Sequence, residues 1–113
     1  MKALSAVERM RAINSSSNYT ALTCKLTADN AESIIADYDL VVDATDNIES
    51  RYLINDCCVL LGKPLISGSA VAMDGQITVI VPFISPCYRC IYPEVPSSQG
   101  IYLILYLQSY HYF

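Results

Sequence analysis

The stretch Tyr38-Asp39-Leu40-Val41-Val42-Asp43-Ala44-Thr45-Asp46-Asn47 leads straight into a helical pattern over residues 47–61. Leu40, Val41 and Val42 form a short apolar run between acidic residues, the signature of a buried strand. Its carboxyl end delivers Asp43, Thr45, Asp46 and Asn47 to the point where the helix begins. In open α/β sheets ligands collect in the crevice beyond such strand ends, and a helix N-terminus there offers backbone N–H groups that nothing in the helix itself satisfies. Gly62 stands where a left-handed C-terminal cap is wanted, and Pro64 bars the helix from continuing.

The flanking segments extend this strand–helix unit. Residues 64–69 read as a strand closing on Ser67-Gly68-Ser69, small residues that allow close approach to the backbone. Residues 75–81 alternate Ile77, Val79 and Val81 against Gln76, Thr78 and Ile80, the period of a strand. Upstream, Leu4, Val7, Met10 and Ile13 share one face of a surface helix, residues 19–25 are β-prone, and Thr27 is the expected N-cap of a helix over 28–36. Helices alternating with strands specify an α/β fold with a mostly parallel sheet, flanking helices and room for the last strand to return antiparallel. On the helix over 47–61, Ile48, Tyr52, Cys57, Leu60 and Leu61 are expected inside and Glu49, Arg51 and Asp56 outside.

A chain of 113 residues makes one small domain, and a hydrophobic fraction of 53% with 16% charged residues is that of a packed core. The net charge of −4, with no Lys/Arg cluster, argues against nucleic acid as a partner. The first ten residues contain no apolar run of the signal-peptide kind, and the apolar run over 101–107 is too short to span a bilayer. The expectation is a cytoplasmic protein without membrane partners, in which the five cysteines are reduced thiols or metal ligands.

Three groups of residues carry chemistry, each with a plainer reading beside it. Asp43 and Thr45-Asp46-Asn47 supply carboxylates for a magnesium ion bridging phosphates and an amide for a nucleotide, or they cap the helix. Arg51 lies one turn after Asn47 and within reach of the same edge, although spacing alone puts it in solvent. Cys87-Tyr88-Arg89-Cys90 is half of a four-cysteine zinc site, a redox pair, or neither. Cys57 and Cys58 are adjacent on the helix and read as core packing.

Taken together and in order, Asp39-Leu40-Val41-Val42-Asp43-Ala44-Thr45-Asp46-Asn47, Arg51-Tyr52-Leu53-Ile54-Asn55-Asp56, Gly62-Lys63-Pro64-Leu65-Ile66-Ser67-Gly68, Gly75-Gln76-Ile77-Thr78-Val79 and Pro86-Cys87-Tyr88-Arg89-Cys90 resemble the ThiF/MoeB/ubiquitin-activating-enzyme family, in particular its eukaryotic adenylyltransferase and sulfurtransferase members. The resemblance covers roughly residues 2–100 and implies a partial Rossmann-like, ThiF-type nucleotide-binding domain over 1–100, followed by a divergent apolar tail over 101–113. It implies ATP- and magnesium-dependent adenylation of the C-terminal glycine of a ubiquitin-like sulfur-carrier protein, in molybdopterin cofactor biosynthesis or tRNA thiolation. Asp46 and Asn47 would then contact the nucleotide, Cys87 and Cys90 would be half of a zinc site, and full-length members would be homodimers. Members of the family begin with a strand and a Gly-rich loop, whereas no Gly-x-Gly precedes Gly62 here and no cysteine follows Cys90. The expectation is therefore an inactive fragment, or alternatively a non-catalytic module retaining a carrier-docking or dimerisation surface. A nicotinamide-dependent oxidoreductase is disfavoured because its Gly-rich fingerprint is absent.

Overall fold

A computed structural model describes residues 2–71 and 73–93. In chain order the elements are α1 (Lys2–Ile13), α2 (Ala31–Ile35), β1 (Val41–Asp43), α3 (Ile48–Leu61), β2 (Leu65–Val71), β3 (Asp74–Ile80) and α4 (Tyr88–Ile91). The three strands form one sheet in the order β1-β2-β3, with β1 and β2 parallel and β2 and β3 antiparallel. This is a partial Rossmann-like α/β fold, its sheet mixed because β3 turns back on β2. Residues 101–113, read as a divergent tail, lie outside the described residues, as does the boundary drawn at residue 100.

Strand alternation separates the two faces of the sheet. The row Val41, Leu65 and Ile80 points toward α2 and α3, where it joins Ala31, Ile35, Ile54, Cys57 and Cys58 in the core. The next row, Val42, Ile66 and Val79, points the other way, and Val42 and Val79 are exposed. The third row returns to the core side and carries Asp43, Ser67 and Thr78. One step beyond the apolar core, the same face thus becomes polar while Asp43 and Ser67 stay buried.

Helix α3 holds this arrangement and has both of its expected ends. Asn47 is its N-cap, and Gly62 adopts φ 66° at its C-terminus. The Lys63 amide reaches the Cys58 carbonyl at 2.8 Å and the Gly62 amide reaches the Val59 carbonyl at 3.3 Å, the paired closure that a left-handed glycine makes available. Its buried residues are Arg51, Tyr52, Ile54, Asn55, Cys57 and Cys58, so Tyr52 and Cys57 are inside as expected, and Arg51, Ile54, Asn55 and Cys58 follow the spacing i, i+3, i+4, i+7. Arg51, expected in solvent, is inside, and Leu60, expected inside, is exposed. A face counted from apolar residues alone misses part of its extent when two of its six buried members are polar.

Three local expectations give way to tertiary context. Residues 19–25 form no strand, since β-prone side chains need a neighbouring strand to supply the ladder and none of the three described strands pairs with them. Thr27 does not cap a helix over 28–36. Its amide instead donates to Asn30 Oδ1 at 2.7 Å in a turn, and α2 starts only at Ala31. On α1, Val7 alone is buried, leaving Leu4, Met10 and Ile13 of its apolar face open.

Candidate functional site at the carboxyl edge of β1 and β2

Beyond β1, Asp43 sits 1% exposed and turns the chain back on itself. Its Oδ1 accepts the Thr45 amide at 2.9 Å and the Thr45 hydroxyl at 2.7 Å, while its Oδ2 is buried with no hydrogen-bond partner among the described residues. The only charge pairing available to it there is Arg51 Nη1, at 3.9 Å. An uncompensated buried carboxylate is strongly unfavourable, so the arginine is part of what allows Asp43 to stay inside.

Arg51 reaches this edge from the first turn of α3 and is itself 8% exposed. Nη1 donates to Ser67 Oγ at 3.0 Å, and Nη2 donates to the Gly68 carbonyl at 2.7 Å and to the Thr45 carbonyl. One guanidinium therefore ties the end of β1 to β2. Sequence spacing did signal its reach, since Arg51 lies one turn after the cap, but two of the three acceptors that hold it come from a strand 16 and 17 residues further on.

Asp46 and Asn47 part company in the fold. Asp46 is exposed and lines a cavity of about 850 Å³, together with Thr45, Arg51, Ser67 and Gly68 on the strand side and Tyr88 and Tyr92 on the α4 side. Asn47 is not among the lining residues. Its Oδ1 accepts the Glu49 amide at 2.8 Å and the Ser50 amide at 3.3 Å, so the helix N-terminus expected to be open is partly occupied by its own cap. The capping reading thus holds for that oxygen, leaving the Asn47 amide nitrogen without a partner among the described residues.

The second cluster stands beside the first. Cys87 and Cys90 are brought together by the single turn of α4, with Sγ atoms 3.4 Å apart. Two thiolates on one tetrahedral zinc with Zn–S bonds of about 2.3 Å would lie about 3.8 Å apart, so the pair fits one edge of such a site. No cluster of three or more His, Cys, Asp or Glu side chains suited to a metal occurs among the described residues, so the pair supplies two ligands and no more. Burial pushes the Cys87 thiol up, but hydrogen bonding with the Cys90 backbone and side chain, the Asn55 side chain and the Arg89 backbone outweighs it and leaves the thiol more acidic than usual.

Helix α3 anchors this turn as well. Asn55, buried one turn after Arg51 and not anticipated from sequence, accepts the Tyr88 amide at 2.8 Å. Asp56 receives Arg89 Nε at 3.0 Å and Nη2 at 2.7 Å, and that bidentate grip holds its carboxyl below the usual carboxylate range. Tyr52 packs edge-on against Tyr88 with ring centroids 5.2 Å apart. Tyr88, between the two cysteines, also lines the cavity, so the thiol turn and the acidic edge share a wall. Among the described residues no helix is long and apolar enough to cross a membrane.

The chain is similar to the adenylyltransferase and sulfurtransferase MOCS3 of Arabidopsis thaliana, at 50% identity over 99 residues, covering 88% of this chain and 21% of that protein. It is similar to the protein of the same name from Culex quinquefasciatus at 47% identity over 97 residues, covering 86% of this chain and 22% of that protein. A shorter match to the Oryza sativa subsp. japonica protein of that name reaches 67% identity over 61 residues, or 54% of this chain and 14% of that protein. The chain thus spans about a fifth of the length of the Arabidopsis and Culex proteins. The sequence model of the ThiF family matches residues 1–103, and the chain belongs to the ThiF family.

Proposed function

We propose that this chain forms one wall of an adenylating site, in which ATP activates the C-terminal glycine of a ubiquitin-like sulfur-carrier protein for molybdopterin cofactor biosynthesis or tRNA thiolation. The observation that carries the reading is Asp46, an exposed carboxylate at the cavity on a loop held from both sides. A carboxylate oxygen of the carrier would attack the α-phosphorus, forming the acyl adenylate as the bond to pyrophosphate breaks. Magnesium binds through one or two carboxylates together with substrate phosphates, and Asp46 is a donor of that kind; when bound, the ion would neutralise phosphate charge. Asn47 keeps only its amide nitrogen for the nucleotide, since its oxygen caps α3.

The first glycine among these 113 residues is Gly62, so residues 1–40 supply no Gly-rich phosphate turn. The expected outcome for this chain is therefore no pyrophosphate exchange with ATP and a ubiquitin-fold carrier, and robust exchange would overturn the reading of it as inactive alone. Binding is tested separately by calorimetry with magnesium–ATP. Asp46→Asn should weaken it about tenfold, because a contact to a charged group is worth about 1.5 kcal/mol or more. Equal affinities would remove Asp46 from the site. Carrier binding that needs no nucleotide would favour the non-catalytic module instead.

The same reading makes Cys87 and Cys90 half of a zinc site and adds homodimerisation and a cytoplasmic location. Zinc needs four ligands, so protein purified without chelator should carry no more than about one zinc per two chains. A full equivalent per chain would show that the ligand set is larger than the CxxC pair.

A further inference from the structure

Asp46 carries the proposed metal–nucleotide contact, yet nothing fixes its own side chain. It is exposed, and no hydrogen bond or ion pair holds its carboxylate among the described residues. Where it stands is decided by the backbone on either side of it. That backbone is gripped at Thr45 from two directions: Asp43 Oδ1 takes its amide at 2.9 Å and its hydroxyl at 2.7 Å, and Arg51 Nη2 donates to its carbonyl. The same guanidinium reaches Ser67 Oγ at 3.0 Å and the Gly68 carbonyl at 2.7 Å.

We propose that Arg51 is a positioning residue for Asp46: by clamping the Thr45 carbonyl to Ser67 and Gly68 it fixes where the Asp46 carboxylate meets the cavity. The proposal rests on the reading of Asp46 as the metal–nucleotide carboxylate. Arginine suits the task because its planar fork presents donors in fixed, diverging directions, enough for three acceptors on two chain segments. A lysine at the same place keeps the positive charge near Asp43 but is a point donor without that fork. The separation of 3.9 Å between Arg51 Nη1 and Asp43 Oδ2 shows the guanidinium committed to the carbonyls and the serine rather than to a close ion pair.

The test is backbone ¹⁵N relaxation on the whole chain, comparing the parent with Arg51→Lys and with Ser67→Ala. In Arg51→Lys the order parameters of the Thr45, Asp46 and Asn47 amides should fall from about 0.85 to below about 0.6, while those of Asp56, Cys57 and Cys58 on α3 hold their values. Ser67→Ala, which removes only one acceptor, should give a smaller fall at the same three amides and keeps the test open if the lysine variant does not fold. A loop that stays rigid in the folded variants overturns the proposal. So does a loss of order spread evenly along α3, which would make Arg51 a general strut. Magnesium–ATP titrated into the parent chain tests the underlying reading separately: no shift at Asp46 beside a loosened loop would reject the nucleotide role and leave the clamp standing.

Discussion

Arg51→Met is expected to lower the free energy of unfolding by about 3–5 kcal/mol, the range for removing one partner of a buried charge pair. The methionine keeps much of the volume and removes every donor. Asp43, 1% exposed with one oxygen already lacking a hydrogen bond, then has no positive charge beside it among the described residues, and the Thr45 carbonyl, the Gly68 carbonyl and the Ser67 hydroxyl lose their donor together. Each polar group stranded in this way adds a desolvation cost of about 1–3 kcal/mol unless water reaches it. Urea denaturation followed by circular dichroism reads the difference from the midpoint and slope. A loss below about 1 kcal/mol would mean that water already solvates this edge and that Asp43 does not depend on the arginine.

Leu65→Ala should cost about 2–5 kcal/mol. Leu65 opens β2, is 1% exposed, and stands in the row Val41, Leu65 and Ile80 that meets the underside of α2 and α3. Truncation removes apolar atoms from the middle of the core, and strands on both sides of β2 limit how far the gap can close. A domain of this size has only about 5–15 kcal/mol of stability in total, so the variant should show a large fall in denaturation midpoint. Val79→Ala on the opposite face is the control, because Val79 is exposed and its removal leaves no cavity. Equal losses for the two would show that the sheet is covered on both sides in solution.

The two variants touch different kinds of knowledge about the chain. Leu65 as a core residue is legible in a short apolar strand that follows a helix stop. Arg51 as an inside residue is not, because two of the three groups that accept from it are a hydroxyl and a carbonyl on a strand 16 and 17 residues away. Asn55 was hidden for the same reason, its partner being the Tyr88 amide 33 residues on. The apolar pattern of α3 consequently found Tyr52 and Cys57 but placed Leu60 inside and Arg51 outside. At the acidic edge, residue type alone left capping and nucleotide contact open for Asp46 and Asn47. In the fold the Asn47 oxygen caps the helix and Asp46 lines the cavity.

What these residues determined by themselves is the local grammar: the β1 run, the asparagine cap, the glycine that ends α3 at φ 66°, the proline after it and the returning β3 strand. Each depends on backbone sterics and hydrogen bonds within a few positions, which any chain carrying those residues would feel. Tertiary structure alone decided that residues 19–25 do not become a strand, that the CxxC folds into a helical turn against Asn55, and that Arg51 turns inward to hold the Thr45 carbonyl. Those outcomes turn on long-range partners, because a β-prone segment needs a ladder and a buried charge needs acceptors. Both come from elsewhere in the chain.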